Sequence, residues 1–190
     1  KLTAKEIRNH FSGEVPSVLA GCAPCQPFST YKQRYDEDPR WNLVTKFSKL
    51  AVEIEPDFVT MENVPALLKY KNGRVFGRFC NRLKNAGYQV GWAIAKCEEF
   101  GVPQKRRRLV VVASKSAELY PLIPTNNSFL SVRDAIGNLP KLAAGETNSN
   151  DPLHTAPSLS KINLRRIRAS KPGGTWRDWP DKLLADCHRR

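Results

Sequence analysis

The chain has 190 residues, 41% of them hydrophobic, which is enough for one folded domain with a core. Its 31 lysines and arginines against 18 aspartates and glutamates leave a net charge of +13, a balance that favours a polyanionic partner. No apolar run approaches the ~18 residues that cross a bilayer, and five irregularly spaced cysteines argue against a disulfide framework and for a reducing compartment.

In chain order, residues 2–11 read as a helix, with Thr3 as N-cap, Glu6 three positions on, and Gly13 and Pro16 as breakers. Val18–Gly21 reads as a short buried strand. Cys25 follows it, held between Pro24 and Pro27, which fix φ on both sides of the thiol. Ligands collect at the carboxyl ends of strands in open α/β sheets, so Cys25 is a candidate nucleophile. An inert buried thiol is the competing reading. Cys22 and Cys25 also spell Cys-x-x-Cys. A zinc site needs a second pair that Cys80, Cys97 and Cys187 do not supply, whereas a thioredoxin-like redox pair stays open.

Residues 26–40 are polar and read as a long mobile loop, a length that is usually functional or disordered. Residues 41–54 place Leu43, Val44, Phe47, Leu50, Ala51 and Ile54 at helical spacing. Residues 57–61 form an apolar strand that ends on Glu62 and Asn63. Residues 75–86 are a second helix stopped by Gly87, and residues 88–95 alternate as a strand. Residues 109–113 are continuously apolar, as a central strand is. The alternation predicts an α/β fold. Arg106 and Arg108, two apart at the start of that last strand, are expected on one face, with Arg107 on the other. Beyond Ala113 prolines punctuate the pattern and only residues 131–136 read as a short helix. The basic excess gathers in the last thirty residues, where Pro172, Gly173, Gly174 and Pro180 interrupt any membrane-binding helix.

Three segments in order, Pro24-Cys25-Gln26, Glu62-Asn63-Val64 and the Gln-x-Arg-x-Arg run 104–108, resemble the DNA (cytosine-5) methyltransferase family, of restriction-modification or orphan bacterial type. The likeness continues through residues 132–140. It implies a Rossmann-like methyltransferase fold dependent on S-adenosyl-L-methionine, here the C-terminal part of the sheet with an irregular Pro-rich extension. It also implies methyl transfer to C5 of a flipped-out cytosine in double-stranded DNA, in the bacterial cytoplasm. Cys25 would add to C6, Glu62 would contact N3 and the exocyclic amine, and Arg106 and Arg108 would hold O2 and a flanking phosphate. Asn63 would brace the site and Gln104 would anchor its turn against the nucleic acid. Ser29, Lys32, Gln33 and Arg34 would grip phosphates. Pro24 and Leu43 match positions that line the donor pocket; no metal is implied.

Two departures stand out. Cys22 replaces a typical glycine and Ala23 a typical proline, both small changes in volume. The family's Phe-x-Gly-x-Gly donor loop has no match, and the chain starts at Lys1, so a fragment is expected. On that reading residues 1–140 belong to the catalytic domain and residues 141–190 lead into a target-recognition region. A missing N-terminal segment or a second chain would complete the donor site. An RNA (tRNA) cytosine-5 methyltransferase and a non-catalytic nucleic-acid-binding subunit of a split enzyme are the alternatives.

Overall fold

The computed structural model describes residues 3–28, 38–120, 122–124 and 128–189, in two compact units, Lys1–Ala135 and Ile136–Arg190. The first unit carries helix α1 (Ala4–Arg8), strand β1 (Val18–Gly21), helix α2 (Asn42–Ile54), strand β2 (Phe58–Asn63), helix α3 (Arg74–Asn85) and strands β3 (Gln89–Lys96) and β4 (Arg107–Ser114), and helix α4 (Val132–Ile136) crosses the boundary by one residue. The four strands form one mixed sheet in the order β1-β2-β4-β3. β1 runs parallel to β2, and β4 is antiparallel to both β2 and β3.

Alternation along β2 and β4 sorts the two faces of this sheet. Val59, Met61 and Asn63 of β2 and Leu109, Val111 and Ala113 of β4 are all buried. The apolar ones among them share a core with Val44 and Ala51 of α2 and with Val75, Phe76, Phe79 and Leu83 of α3. Apolar residues recurring at helical spacing bury one face of each helix against this side of the sheet. The alternate residues Thr60, Glu62, Arg108 and Val110 face the other way and stay partly exposed.

Local chemistry fixes the ends of these elements. Thr3 and Glu6 close a capping box on α1. Arg8 then donates to the carbonyls of Ile54, at 3.2 Å, and Glu53, placing a cation on the open carbonyl end of α2. The Asp57 carboxylate accepts from the Ser17 backbone N–H at 2.7 Å and from its hydroxyl at 2.8 Å, pinning the entries of β1 and β2 together. These two bonds, the backbone one first, hold the Asp57 pKa below the usual carboxylate value. Tyr88 is buried beside β3 and donates its hydroxyl to the Pro56 carbonyl at 2.6 Å. Gly87, at φ 87°, follows α3 in a left-handed turn that a side chain would strain.

The helices and strands of the first unit fall where the sequence pattern places them, within a few residues at each end, but three expectations need correction. β1 is not buried: it is an edge strand, and Val18 remains 55% exposed. Residues 26–40 are not one loop throughout, because Gln26–Phe28 and Pro39–Trp41 each form a short 3-10 turn. Residues 29–37 lie outside the described chain. The third correction is that structure does not fade after Ala113. The second unit contains a hairpin of β5 (Thr147–Asn148) and β6 (Asp151–Thr155), then helix α5 (Lys161–Ala169), capped by Ser160. Its small interior gathers buried Leu183 and the stacked rings of Trp176 and His188, whose centroids are 4.4 Å apart.

Candidate active site

Cys22, Glu62 and Arg108 meet at the carboxyl ends of β1 and β2. Glu62 pairs with Val110 across the β2–β4 ladder. Arg108, two residues from Val110, shares its face and reaches the same carboxylate. Arg108 Nε forms an ion pair with Glu62 Oε1, and Arg108 Nη1 donates to the Arg107 carbonyl at 2.8 Å. From the opposite side the Cys22 thiol donates to Glu62 Oε2 at 3.1 Å. One carboxylate is thus held at both oxygens, yet its side chain stays 41% exposed and open to a ligand. The Cys22 pKa is raised, first by the hydrogen bond to Glu62, then by burial and by the charges of Glu62 and Cys25, with Arg108 opposing. Cys22 is therefore held in its thiol form, as a donor.

Ala20, Gly21, Cys22, Thr60 and Glu62 line a cavity of about 330 Å³ here, at the lower end of the range for small-molecule sites. Gly21 lets α2 approach: a Cβ at this position would lie 2.5 Å from the Phe47 ring.

Cys25 is exposed and sits between two anchors. On one side Asn63, itself 1% exposed, donates from Nδ2 to the Ala23 carbonyl at 2.9 Å. The Asn63 Oδ1 accepts from the Val64 backbone N–H, also at 2.9 Å. On the other side the Phe28 N–H donates to the Cys25 carbonyl at 3.0 Å, closing the 3-10 turn. The buried Phe28 ring meets Tyr70 edge-on at 5.0 Å. The loop bearing Cys25 is tied to the end of β2 before the thiol and to the core after it.

The remaining expected residues fall into three groups. Arg106 is not on the strand with Arg108, because β4 starts at Arg107. Its carbonyl accepts from the Cys97 N–H at 2.8 Å, while its exposed side chain makes no hydrogen bond or ion pair among the described residues. Gln104 is exposed and lines a separate cavity of about 540 Å³ with Glu98, Pro103, Lys105 and Phe129. Pro24 and Leu43 are both half-buried. Ser29, Lys32, Gln33 and Arg34 lie outside the described residues. Among the described residues no three His, Cys, Asp or Glu side chains cluster as a metal site.

Two participants escape a motif reading. Cys22 was read as half of a Cys-x-x-Cys and as a replacement for glycine, and its real partner is Glu62. Phe28 carries no chemical signal, and its anchoring role follows from burial alone. Together the site offers an accessible thiol on a braced loop, a carboxylate fixed by a guanidinium and a thiol, and a small open cavity. That is equipment for nucleophilic addition to a polar ring beside a hydrogen-bonding carboxylate.

The comparisons with known proteins point the same way. A family model described as C-5 cytosine-specific DNA methylase matches residues 1–189. The chain is similar to the type II methylase M.HgiDII of Herpetosiphon aurantiacus, with 40% identity over all of this chain and 54% of that protein. It is also similar to the type II methyltransferase M1.HphI of Haemophilus parahaemolyticus, with 32% identity over 96% of this chain and 50% of that one. Among solved structures, an E. coli prophage protein assigned as a DNA modification methyltransferase superposes with a TM-score of 0.61 at 26% identity. That match covers 79% of this chain and 43% of the other. The chain spans about half the length of these relatives.

Proposed function

The chain belongs to the C-5 cytosine-specific DNA methylase family, and from that premise we propose that it carries the catalytic thiol of a DNA cytosine-5 methyltransferase. Its fold is the Rossmann-like α/β methyltransferase fold. The observation that supports the reading most is the Glu62 carboxylate, held by Arg108 and Cys22 at the strand ends that also anchor the Cys25 loop.

Cytosine C5 is a weak nucleophile, and addition of a thiolate at C6 makes it enamine-like. Cys25 forms the S–C6 bond, the ring's electron pair moves toward N3, and N3 takes a proton from solvent water while the Glu62 carboxylate accepts from the new N–H. Arg108 holds Glu62 through its ion pair and would contact the base oxygen. Asn63 and Phe28 hold the thiol on a fixed arc. Once C5 is methylated, the C5 and N3 protons pass to solvent water and the Cys25 thiolate leaves, which restores the aromatic ring and frees the enzyme. A base in a duplex cannot present C6 to a side chain, so the cytosine is flipped out at a cost of a few kcal/mol.

When bound, S-adenosyl-L-methionine supplies the electrophilic methyl group. The half-buried Pro24 and Leu43 are the residues of this chain that would line its pocket. The rest of the donor site belongs to a segment or second chain beyond these residues. Residues 1–140 act as part of the catalytic domain, and residues 141–190 lead to the target-recognition region.

The test is methyl transfer by the full-length protein from labelled S-adenosyl-L-methionine to a cytosine-containing duplex, with the product base identified. We expect 5-methylcytosine, and at least a 10³-fold loss in Glu62→Ala, which removes a group acting at the reacting ring. Label on an exocyclic amine, in RNA alone, or an active Glu62→Ala enzyme would refute the assignment.

A further inference from the structure

The second unit holds a row of cations that the catalytic reading does not use. In α5, Lys161, Arg165 and Arg168 fall at i, i+4 and i+7, within a sector about 60° wide and about 10 Å long. All three are exposed, and none makes an ion pair or side-chain hydrogen bond among the described residues. The helix separates these from its fourth cation. Arg166 turns inward, donating to the Leu183 carbonyl at 2.7 Å and to Asn163 at 3.0 Å, with its guanidinium over the Trp179 ring. Arg166 is therefore structural, and the outer three are not.

Among the described residues no acid of this unit forms an ion pair with the row, and three of the five make local backbone contacts. Glu146 accepts from the Ala143 N–H, Asp151 from the Leu153 N–H, and Asp178 from the Thr175 N–H. The unit Ile136–Arg190 has ten Lys and Arg against five Asp and Glu, a difference of +5. Phosphates follow one strand of a DNA duplex at about 3.4 Å of axial rise each. A row about 10 Å long therefore spans about three steps.

We propose that the Lys161–Arg165–Arg168 face of α5 is a contact surface for the sugar-phosphate backbone of the duplex, adding affinity without reading sequence. The inference rests on the proposed DNA substrate. Lys and Arg contacts to phosphate release counterions, so each contributes about 0.9 to the slope of log K against log salt.

The test measures binding of labelled duplexes, one with the protein's methylation site and one random, to the full-length protein over a range of salt. Lys161→Ala/Arg165→Ala/Arg168→Ala should lower the salt slope by about 2 to 3, with equal loss on both duplexes. Arg165→Lys/Arg168→Lys should keep the wild-type slope. A control triple on α3, Arg74→Ala/Arg78→Ala/Lys84→Ala, removes the same charge and should leave the slope within about 0.5 of wild type. An unchanged slope in the α5 triple, an equal fall in the α3 control, or a loss confined to one duplex would overturn the inference. Wild-type protein that binds no duplex even at low salt would instead refute the DNA reading itself.

Discussion

Replacing Asn63 by alanine tests how the Cys25 loop is held. Asn63 is essentially inaccessible and bridges two backbone groups, taking the Val64 N–H and giving to the Ala23 carbonyl, each at 2.9 Å. The substitution leaves both groups without these partners, and each such loss costs about 1–3 kcal/mol when buried. Ala23 and Val64 are half-buried and can recover some hydration, so the sum should fall at about 2–4 kcal/mol. For a chain of this size that corresponds to a drop in melting temperature on the order of 10 °C. Ala23 is two residues from the thiol, so methyl transfer should fall about 10- to 100-fold even where the variant is fully folded. Asn63→Asp separates hydrogen bonding from volume. It keeps the shape but turns an oxygen toward the Ala23 carbonyl, so it should be at least as damaging as alanine. Chemical denaturation and single-turnover kinetics measure the two effects. An Asn63→Asp protein within ~0.5 kcal/mol of wild type and fully active would show that the bridge does not hold the loop.

Further expectations rest on single contacts. Gly21→Ala puts a methyl group 2.5 Å from the Phe47 ring and should destabilise the protein by about 1–3 kcal/mol through overpacking, measured by denaturant titration. Cys22→Ala removes the donor to Glu62 and should slow methyl transfer several-fold, whereas Cys22→Ser keeps a donor and should recover most of the rate. Equal rates in the two variants would mean that the thiol does not position Glu62. Burial, ahead of the nearby Glu55 and Asp57 charges, pushes the Tyr88 phenol up to about 12. A raised folded-state pKa gives stability that is present below the ordinary phenol value and lost as pH rises toward 12. Unfolding free energy should therefore decline between about pH 10 and 12. That decline should be shallower in Tyr88→Phe, which keeps the contribution of the buried Cys80 thiol, pushed up to about 11 by burial.

The first unit was largely legible because each element carries its own signal. Apolar spacing in α2 and α3, the β-branched run of β4 and the glycine after α3 act locally. Their positions needed no knowledge of partners. The exposure of β1 was not legible, since Val-Leu-Ala reads alike in a central or an edge strand and only the sheet order decides. The strand start at Arg107, one residue after Arg106, was missed through the same kind of limit. Alternation puts Arg106 on the face of Arg108 only if the strand already runs through it, and the Cys97–Arg106 bond marks the end of the ladder instead. Cys22 and Glu62 are forty positions apart, and their contact exists only because β1 and β2 pair in parallel with Gly21 opposite Met61. In the second unit, α5 is short, polar and flanked by Pro172 and two glycines, so its hydrophobic pattern was too weak to announce a helix.

The central claim is that Cys25 forms the covalent bond to the base. The direct measurement is trapping on a duplex carrying 5-fluorocytosine at the methylation site, where fluorine replaces the C5 proton whose loss would release the thiol. The full-length protein, with S-adenosyl-L-methionine, should form a denaturation-resistant complex. Its peptide map should place the modified cytosine on Cys25, and Cys25→Ser should form none while Cys22→Ser still does. An adduct on Cys22, or undiminished trapping by Cys25→Ser, would contradict the account.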